Sequence, residues 1–251
     1  MNFLDATGTE LVIATLLFLG AILYTSVGHA GSSVYIAIMS LFGLAATVIK
    51  PTALVLNIFV ASFTSFKFIR AKLFDLKLFI PLAIGAIPLS FLGGRINLST
   101  ENYKILVGIL LVAAGFMFIF QTPQASSSQI KTPKFLVALF VGGSIGFLAG
   151  LTGTGGGIFL SPIALLFNWT TVKQASGTSA LFILVNSVFG LLGHASSVTY
   201  LPETLPLFVG AVLMGAIIGT RLGIKKFSNS GVKKALGAVL IIAGLKLTFG
   251  L

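Results

Sequence analysis

Long uncharged apolar stretches recur along the whole chain, and they constrain its fold more than any other feature. Each is roughly 16 to 20 residues long, which is the length that an α-helix needs to cross the hydrocarbon core of a bilayer. The ten stretches lie at about 11–27, 33–49, 52–66, 78–94, 105–120, 135–152, 156–172, 175–198, 204–220 and 234–250. Only 8% of the 251 residues are charged, against about a quarter in soluble domains. The chain is therefore predicted to be an all-α integral membrane protein that contacts membrane lipid and has no soluble domain.

The charged residues and the cysteine content exclude several classes of function. The formal net charge is +11, but the basic residues lie in short gaps between apolar stretches, which indicates membrane topology and argues against a nucleic-acid partner. The absence of cysteine excludes disulfides, thiolate metal sites and cysteine nucleophiles. None of the five carboxylates lies within an apolar stretch. We therefore predict that the protein is not an enzyme and has no catalytic residue, metal site or cofactor.

The two halves of the chain resemble each other. The sequence Gly-Gly-Arg-Ile at 93–96 ends the fourth stretch of the first half, and Gly-Thr-Arg-Leu at 219–222 ends the fourth stretch of the second. The region between the halves contains two prolines and no apolar run, as expected for a linker. An internal duplication is the simplest account. We predict a first repeat at 1–121, a linker at 122–134 and a second repeat at 135–251, which together form a single membrane domain.

The basic residues indicate that the two repeats have opposite orientations. The gap between the third and fourth stretches of the first half contains Lys67, Arg70, Lys72 and Lys77, whereas the matching gap at 193–203 contains no basic residue. Lysine and arginine in short loops stay on the cytoplasmic side. This predicts two inverted five-segment helical repeats with about 8 to 10 transmembrane segments, the first pair in each half being broken or hairpin-like. Both termini are then outside a bacterial inner membrane, an arrangement typical of secondary transporters, which bind substrate near the midplane.

Two glycine-rich stretches at corresponding places in the halves are the strongest candidates for a binding site. The sequence Leu-Thr-Gly-Thr-Gly-Gly-Gly at 151–157 prevents a stable helix, and irregular backbone at membrane depth must line a protected or wet cavity. The amides at the start of the next helix favour an anion. Alternatively, the glycines only permit a tight hairpin or close helix packing. The predicted substrate-binding residues here are Gly28, His29, Gly31, Ser32, Ser33, Gly153, Thr154, Gly155, Gly156 and Gly157.

Polar side chains within the apolar stretches form a second set of candidate substrate ligands. They are Thr52, Asn57, Thr178, Ser179 and Asn186. A polar group inside a membrane segment needs a partner, which can be a substrate. The alternative is a hydrogen bond to a neighbouring helix or, for the hydroxyls, to a carbonyl of their own helix. That alternative carries more weight for the hydroxyls than for the two asparagines.

A few cationic residues could attract an anion to the entrances. Arg95 and Arg221 end corresponding stretches, and Lys50 precedes a proline that suits the first turn of a helix. Each could equally be an anchor at the lipid headgroups. Of the two histidines, we predict a ligand contact for His29 and a structural role for His194.

The glycine-rich motifs resemble a known family. The sequences Gly-Thr-Gly-Gly-Gly at 153–157 and Ala-Ser-Gly-Thr-Ser-Ala at 175–180, with Gly-His-Ala-Gly at 28–31 and Lys-Pro-Thr-Ala-Leu-Val-Leu-Asn at 50–57, are similar to those of the TauE/SafE sulfite exporter family of membrane transporters. The resemblance covers nearly the whole chain. It implies export of sulfite, sulfoacetate or related organosulfur anions. The first glycine-rich stretch departs from the expected pattern, since serines stand at 32 and 33 where more glycine is expected.

Other functions remain as alternatives. An anion channel, or a transporter of another small anion, would share the same positive site. A membrane-embedded enzyme acting through His29 or His194 is disfavoured because neither histidine has a carboxylate near it in the sequence. An accessory membrane subunit would not need two equivalent glycine-rich stretches.

For a transporter without a coupled ion, outward movement of one negative charge from a negative interior gains about 2.3 kcal/mol per 100 mV.

Overall fold

A computed structural model of the chain describes residues 8–120, 130–198, 201–225 and 230–249. Within these ranges the regular structure is entirely helical, with ten α-helices, one short 3-10 helix and no strand. The α-helices are α1 Gly8–Ser26, α2 Ser32–Leu41, α3 Ala46–Arg70, α4 Leu76–Arg95, α5 Thr100–Phe120, α6 Phe135–Thr152, α7 Gly157–Leu166, α8 Val172–His194, α9 Leu205–Lys225 and α10 Ser230–Phe249. Most of the predicted linker at 122–134 lies outside the described residues, as do residues 1–7 of the predicted first repeat.

Seven of the described helices are long and apolar enough to cross a membrane, namely α1, α3, α4, α5, α6, α8 and α9. The helices α2 and α7 have 10 residues each. At 1.5 Å per residue each extends about 15 Å, or half of the hydrocarbon core. The described apolar part of α10, Leu236–Phe249, is also shorter than a full span. The chain is therefore a multi-pass, all-helical membrane protein.

The sequence-based extents of the second and seventh stretches, 33–49 and 156–172, are wrong. In the structure α2 stops at Leu41 and α7 stops at Leu166, and the next helix begins several residues later. The cause is a left-handed residue just after each helix, Gly43 with φ 76° and Asn168 with φ 55°. Such residues terminate helices by turning the chain so that late amides bond earlier carbonyls. Hydrophobicity alone does not reveal these stops, since the turn residues are flanked by apolar ones.

Two helices of the first five, α1 and α4, pack in parallel against helices of the last five. A β-carbon on Gly85 of α4 would lie 2.0 Å from the carbonyl oxygen of Leu139 in α6, and one on Gly93 would lie 2.3 Å from that of Phe147. Both residue numbers increase together, so α4 and α6 run in the same direction. Helices α1 and α9 pack in the same manner. Small residues that bring backbones together are the usual means of helix association in membranes.

Two pairs of helices with the same rank in the two sets of five, α3 with α8 and α5 with α10, run antiparallel; in the first pair Gly190 lies near Leu54 and Gly177 lies near Phe68. In the α5 and α10 pair, Gly108 lies against Gly244 and Gly115 lies against Gly237. At the centre, α3 and α8 are the two most buried of the membrane-spanning candidates. Asn57 of α3 bonds Ser187 of α8, near the opposite end of α8 from its first turns. The two sets of five are thus interleaved, and α3 and α8 form the middle of the bundle.

Candidate functional site

The first interruption, which we call the first break, comprises residues 27–31 between α1 and α2. Gly28 and Gly31 have φ values of 83° and 105°, a backbone conformation that side chains other than glycine's rarely adopt. A β-carbon on Gly28 would lie 2.2 Å from the Cβ of Ser176 in α8. After the break, α2 folds back so that Val34 packs against Gly20 of α1. The break is therefore a buried turn held closely against α8.

The second interruption, or second break, comprises residues 153–156 between α6 and α7. Gly153, Gly155 and Gly156 all have positive φ values, of 85°, 69° and 79°. Gly153 ends α6, its amide bonding the carbonyl of Ala149 at 2.8 Å, and Gly156 precedes α7. Thr154, between them, is 2% exposed. Three left-handed glycines in four positions explain why the helix cannot continue here.

The two breaks contact each other. The hydroxyl of Ser32, at the start of α2, donates to the carbonyl oxygen of Thr154. The Nε2 of His29 lies 3.0 Å from the carbonyl oxygen of Gly157, the first residue of α7. Because a carbonyl only accepts, the Nε2 of His29 carries the proton in this bond. The structure thus brings together the glycine-rich stretches that are far apart in the sequence.

Side-chain donors also occupy other carbonyls at the breaks. The hydroxyl of Tyr103 in α5 donates to Thr152 at 2.8 Å. The hydroxyl of Tyr35 donates to Ala30 at 2.6 Å, and that of Ser176 donates to Val27 at 3.0 Å. Together with the carbonyls of residues 154 and 157, five carbonyl oxygens around the breaks accept from side chains. Their negative ends are consequently directed at donors of the protein.

The amides that start α2 and α7 are in a different position. The residues that precede these helices, Gly31 and Gly156, have no side chain and provide no capping hydrogen bond. The first amides of a helix have no acceptor within it, and the helix dipole adds positive potential at this end. Since the starts of α2 and α7 are joined through Ser32 and His29, two such ends lie close together in the interior.

One of the two asparagines on the central helices lies against the second break. The Nδ2 of Asn57 donates to the hydroxyl of Ser187 at 3.2 Å. A β-carbon on Gly155 would lie 2.7 Å from that Nδ2 and 3.2 Å from the Ser187 oxygen. Asn186, the residue before Ser187, is fully buried. Among the described residues neither polar atom of its amide has a hydrogen-bond partner, and the same holds for the Oδ1 of Asn57 and the hydroxyl of Thr52.

The other predicted ligands have structural partners. The hydroxyl of Thr178 accepts from the backbone amide of Asp75 at the start of α4, at 3.1 Å. The hydroxyl of Ser179 pairs with that of Ser161 in α7 at 2.7 Å. Ser33 is buried beside α1, within reach of Tyr24. Thr178 and Ser179 therefore have partners at the start of α4 and in α7, and of the predicted polar ligands within the helices it is Asn57 that lies against the second break.

The sequence analysis did not identify Ser187, Tyr103, Tyr35 and Ser176 as part of this site. Ser187 could have been found, because it forms a buried polar pair with Asn186 inside an apolar stretch. The tyrosines gave no such signal, since a tyrosine in an apolar helix is ordinarily a packing or interfacial residue. Their role depends on which helix packs against which break. In the described residues no group of three or more metal-ligating side chains occurs.

Known proteins resemble this chain over almost its whole length. The family model described as Sulfite exporter TauE/SafE matches residues 12–247. The probable membrane transporter protein y4hK of Sinorhizobium fredii is 37% identical over 247 residues, which cover 97% of this chain and 99% of that protein. The probable membrane transporter protein YjnA of Bacillus subtilis is 27% identical, with 92% of this chain and 96% of that protein covered. No solved structure gives a significant match.

The family predicted from the glycine-rich motifs is confirmed by these matches. The helices agree with it, because seven described helices are suited to crossing a membrane. This chain belongs to the TauE/SafE sulfite exporter family and is a membrane transporter.

Proposed function

We propose that this transporter exports small sulfur-containing anions, such as sulfite or organosulfonates, across the bacterial inner membrane, and that it binds them between the two breaks. The proposal rests on one observation, which is that side chains occupy the backbone carbonyls at the breaks but not the amides that start the next helices. Carbonyls at the breaks accept from protein side chains, whereas the starts of α2 and α7 have no side-chain cap. The groups available to a guest are therefore N–H donors, which suit an anion.

The same pattern of occupied carbonyls and uncapped amides argues against a cation as the transported species. Alkali and alkaline-earth cations need several oxygen ligands, from carboxylates or free carbonyls. No carboxylate lies within an apolar stretch of this sequence. The sulfur chemistry of the cargo rests on the name of the family model, and the preference for an anion rests on the geometry.

Buried donors without a partner support direct contact with the guest, namely the amide of Asn186 and the hydroxyl of Thr52, which have none among the described residues. A buried amide without a hydrogen bond costs about 1 to 3 kcal/mol, so Asn186 is maintained at the expense of stability. An oxyanion accepts hydrogen bonds on several oxygens, and it would satisfy the Nδ2 of Asn186 and the hydroxyl of Thr52. We propose that Asn57 and Asn186, on the two central helices, bind opposite sides of the guest.

The packing supports two inverted repeats that alternate in access. Helices α3 and α8, and helices α5 and α10, run antiparallel, as oppositely oriented copies would, and the basic loops change side in the same sense. We propose that both termini face outward, that α1 with α2 and α6 with α7 form broken pairs, and that the protein has about 8 to 10 membrane segments. The hydrogen bonds that join the two regions favour a transporter over a channel, because they have to break before an anion can pass between the breaks.

Substitution of Asn186 by leucine tests the binding site. Leucine has a similar volume and no polar atom, so N186L should fold with an equal or higher melting temperature. The anion would lose its partner, and we expect the apparent affinity for sulfite to fall about tenfold, the equivalent of about 1.4 kcal/mol. The measurement is uptake of labelled sulfite into liposomes that contain the purified protein, with thiosulfate, sulfate and sulfoacetate as competitors.

A matched control is Leu184→Asn, which places an amide two residues away on the same helix. The proposal is contradicted if N186L transports sulfite with the affinity of the unmodified protein. It is also contradicted if the unmodified protein, in the presence of a membrane potential, takes up none of the four anions.

A further inference from the structure

Lys50 is a buried cation next to the second break. It lies in the second turn of α3 and is 4% exposed. Its Nζ donates to the carbonyl oxygens of Gly94 at 3.1 Å and Ile96 at 3.3 Å, at the end of α4. Its backbone carbonyl would lie 3.2 Å from a β-carbon on Gly153. The ammonium is thus held at the place where α3, the end of α4 and the second break meet.

The charge of Lys50 is not neutralised by the part of the protein that the structure describes. Its two hydrogen-bond partners are both carbonyls, and none of the described carboxylates forms an ion pair with it. A buried ammonium is normally paired with an anionic group, because removal of a charge from water is costly. An ammonium that keeps a free donor position attracts an anion that enters from outside the protein.

His194 lies beside this ammonium. It is the last residue of α8 and is 5% exposed. The end of α8 packs on the end of α4, since a β-carbon on Gly193 would lie 3.2 Å from the amide nitrogen of Arg95. His194 therefore lies at the end of α4 that also carries the two carbonyl partners of Lys50. Its Nδ1 is buried and has no hydrogen-bond partner in the described residues.

We propose that the ammonium of Lys50, with His194 beside it, forms a second binding station for small oxyanions, separate from the site between the breaks. The two stations share the central helices. Lys50 precedes Asn57 by seven residues in α3, which corresponds to about 10 Å along a helix, and His194 follows Ser187 by the same interval in α8. An anion that leaves the asparagines therefore meets the ammonium about two helical turns away. This inference rests on the proposed function, since it assigns a further site on the path of the same anion.

The station explains why a transporter of anions would keep an unpaired lysine in its interior. The ammonium attracts the anion in proportion to its charge, because the Coulomb energy is linear in each charge. A dianion therefore gains twice the energy of a monoanion at this place. The sequence predicts a structural role for His194, and that prediction is untested. The residue is therefore tested separately from Lys50.

The test compares Lys50→Gln and Lys50→Arg with the unmodified protein in liposomes. We measure the concentration at which thiosulfate, a dianion, and methanesulfonate, a monoanion, half-inhibit uptake of labelled sulfite. For K50Q we expect the affinity to fall about threefold for methanesulfonate and about tenfold, the square of that factor, for thiosulfate. K50R keeps the charge and should keep the ratio of the two affinities. His194→Gln should weaken both affinities about equally, since it removes no full charge.

Lys246 provides a matched control. Its Nζ also donates to a backbone carbonyl, that of Leu41 at 3.3 Å, but it is exposed and its partner lies at the end of α2 rather than beside a break. Lys246→Gln should leave both affinities unchanged. If K50Q has a lower melting temperature but retains the ratio of thiosulfate to methanesulfonate affinity, Lys50 only stabilises the packing of α3 against α4. That result would overturn the proposal. Normal ratios in K50Q together with loss of affinity in N186L would overturn the second station and leave the site between the breaks intact.

Discussion

The two breaks perform different tasks although they occupy corresponding places in the chain. The first supplies side chains: His29 and Ser32 donate to carbonyls at the second break. The second supplies backbone, with left-handed glycines that let Asn57 approach Gly155. The first break thus holds the second in position, and the second shapes the space beside the asparagines. The difference shows that two glycine-rich turns that meet in the interior can contribute different groups, side-chain donors from one and close backbone approach from the other.

The largest expected effect comes from filling the second break. Gly155→Leu adds a side chain where a β-carbon alone would lie 2.7 Å from Asn57, at a φ of 69° that leucine rarely adopts. We expect sulfite uptake into liposomes to fall to background. The control is Gly210→Leu in α9, where a β-carbon meets nothing within 4 Å. Sulfite uptake by G155L at the rate of G210L would remove the second break from the transport path.

An intermediate effect is expected at the first break, where side chains form hydrogen bonds to the second glycine-rich region. His29→Ala removes the donor to Gly157, and loss of one buried hydrogen bond should lower the transport rate about tenfold, or about 1.4 kcal/mol. His29→Gln can present an amide N–H in place of Nε2 and should retain most of the rate. The rates are measured at saturating sulfite. Equal losses in both variants would show that the ring itself, rather than its N–H, is required.

The smallest effect on transport is expected away from both breaks. Thr178→Val removes the acceptor for the amide of Asp75 and preserves the shape of the side chain. The melting temperature should fall by an amount equivalent to about 1 kcal/mol, and the affinity for sulfite should not change. A folded T178V protein with weakened sulfite affinity would instead place Thr178 at the binding site and would extend that site toward the start of α4.

The two helix interruptions and the buried asparagines could be predicted from the sequence because these residues have local signatures. Runs of glycine interrupt a helix wherever they occur, and an asparagine in an apolar stretch needs a partner in any packing. The end of α7 was missed because Asn168 takes the left-handed conformation without being a glycine, and the end of α2 was missed because Gly43 is a single glycine between apolar residues. Tyr103 was missed because its carbonyl partner, Thr152, is 49 residues away. Contacts of that kind depend on which helices become neighbours, and no local pattern records this.

The parallel pairing of α1 with α9 has a consequence for biosynthesis. Helix α1 ends at Ser26 and its glycine-lined neighbour begins at Leu205, so most of the polypeptide must leave the ribosome before the first helix can find its permanent place. Until then α1 has only lipid or insertion machinery to cover the surface that Gly215 and Gly219 will later touch. A chain truncated before α9 would consequently leave α1 without its lateral support and become a substrate for membrane quality-control proteases.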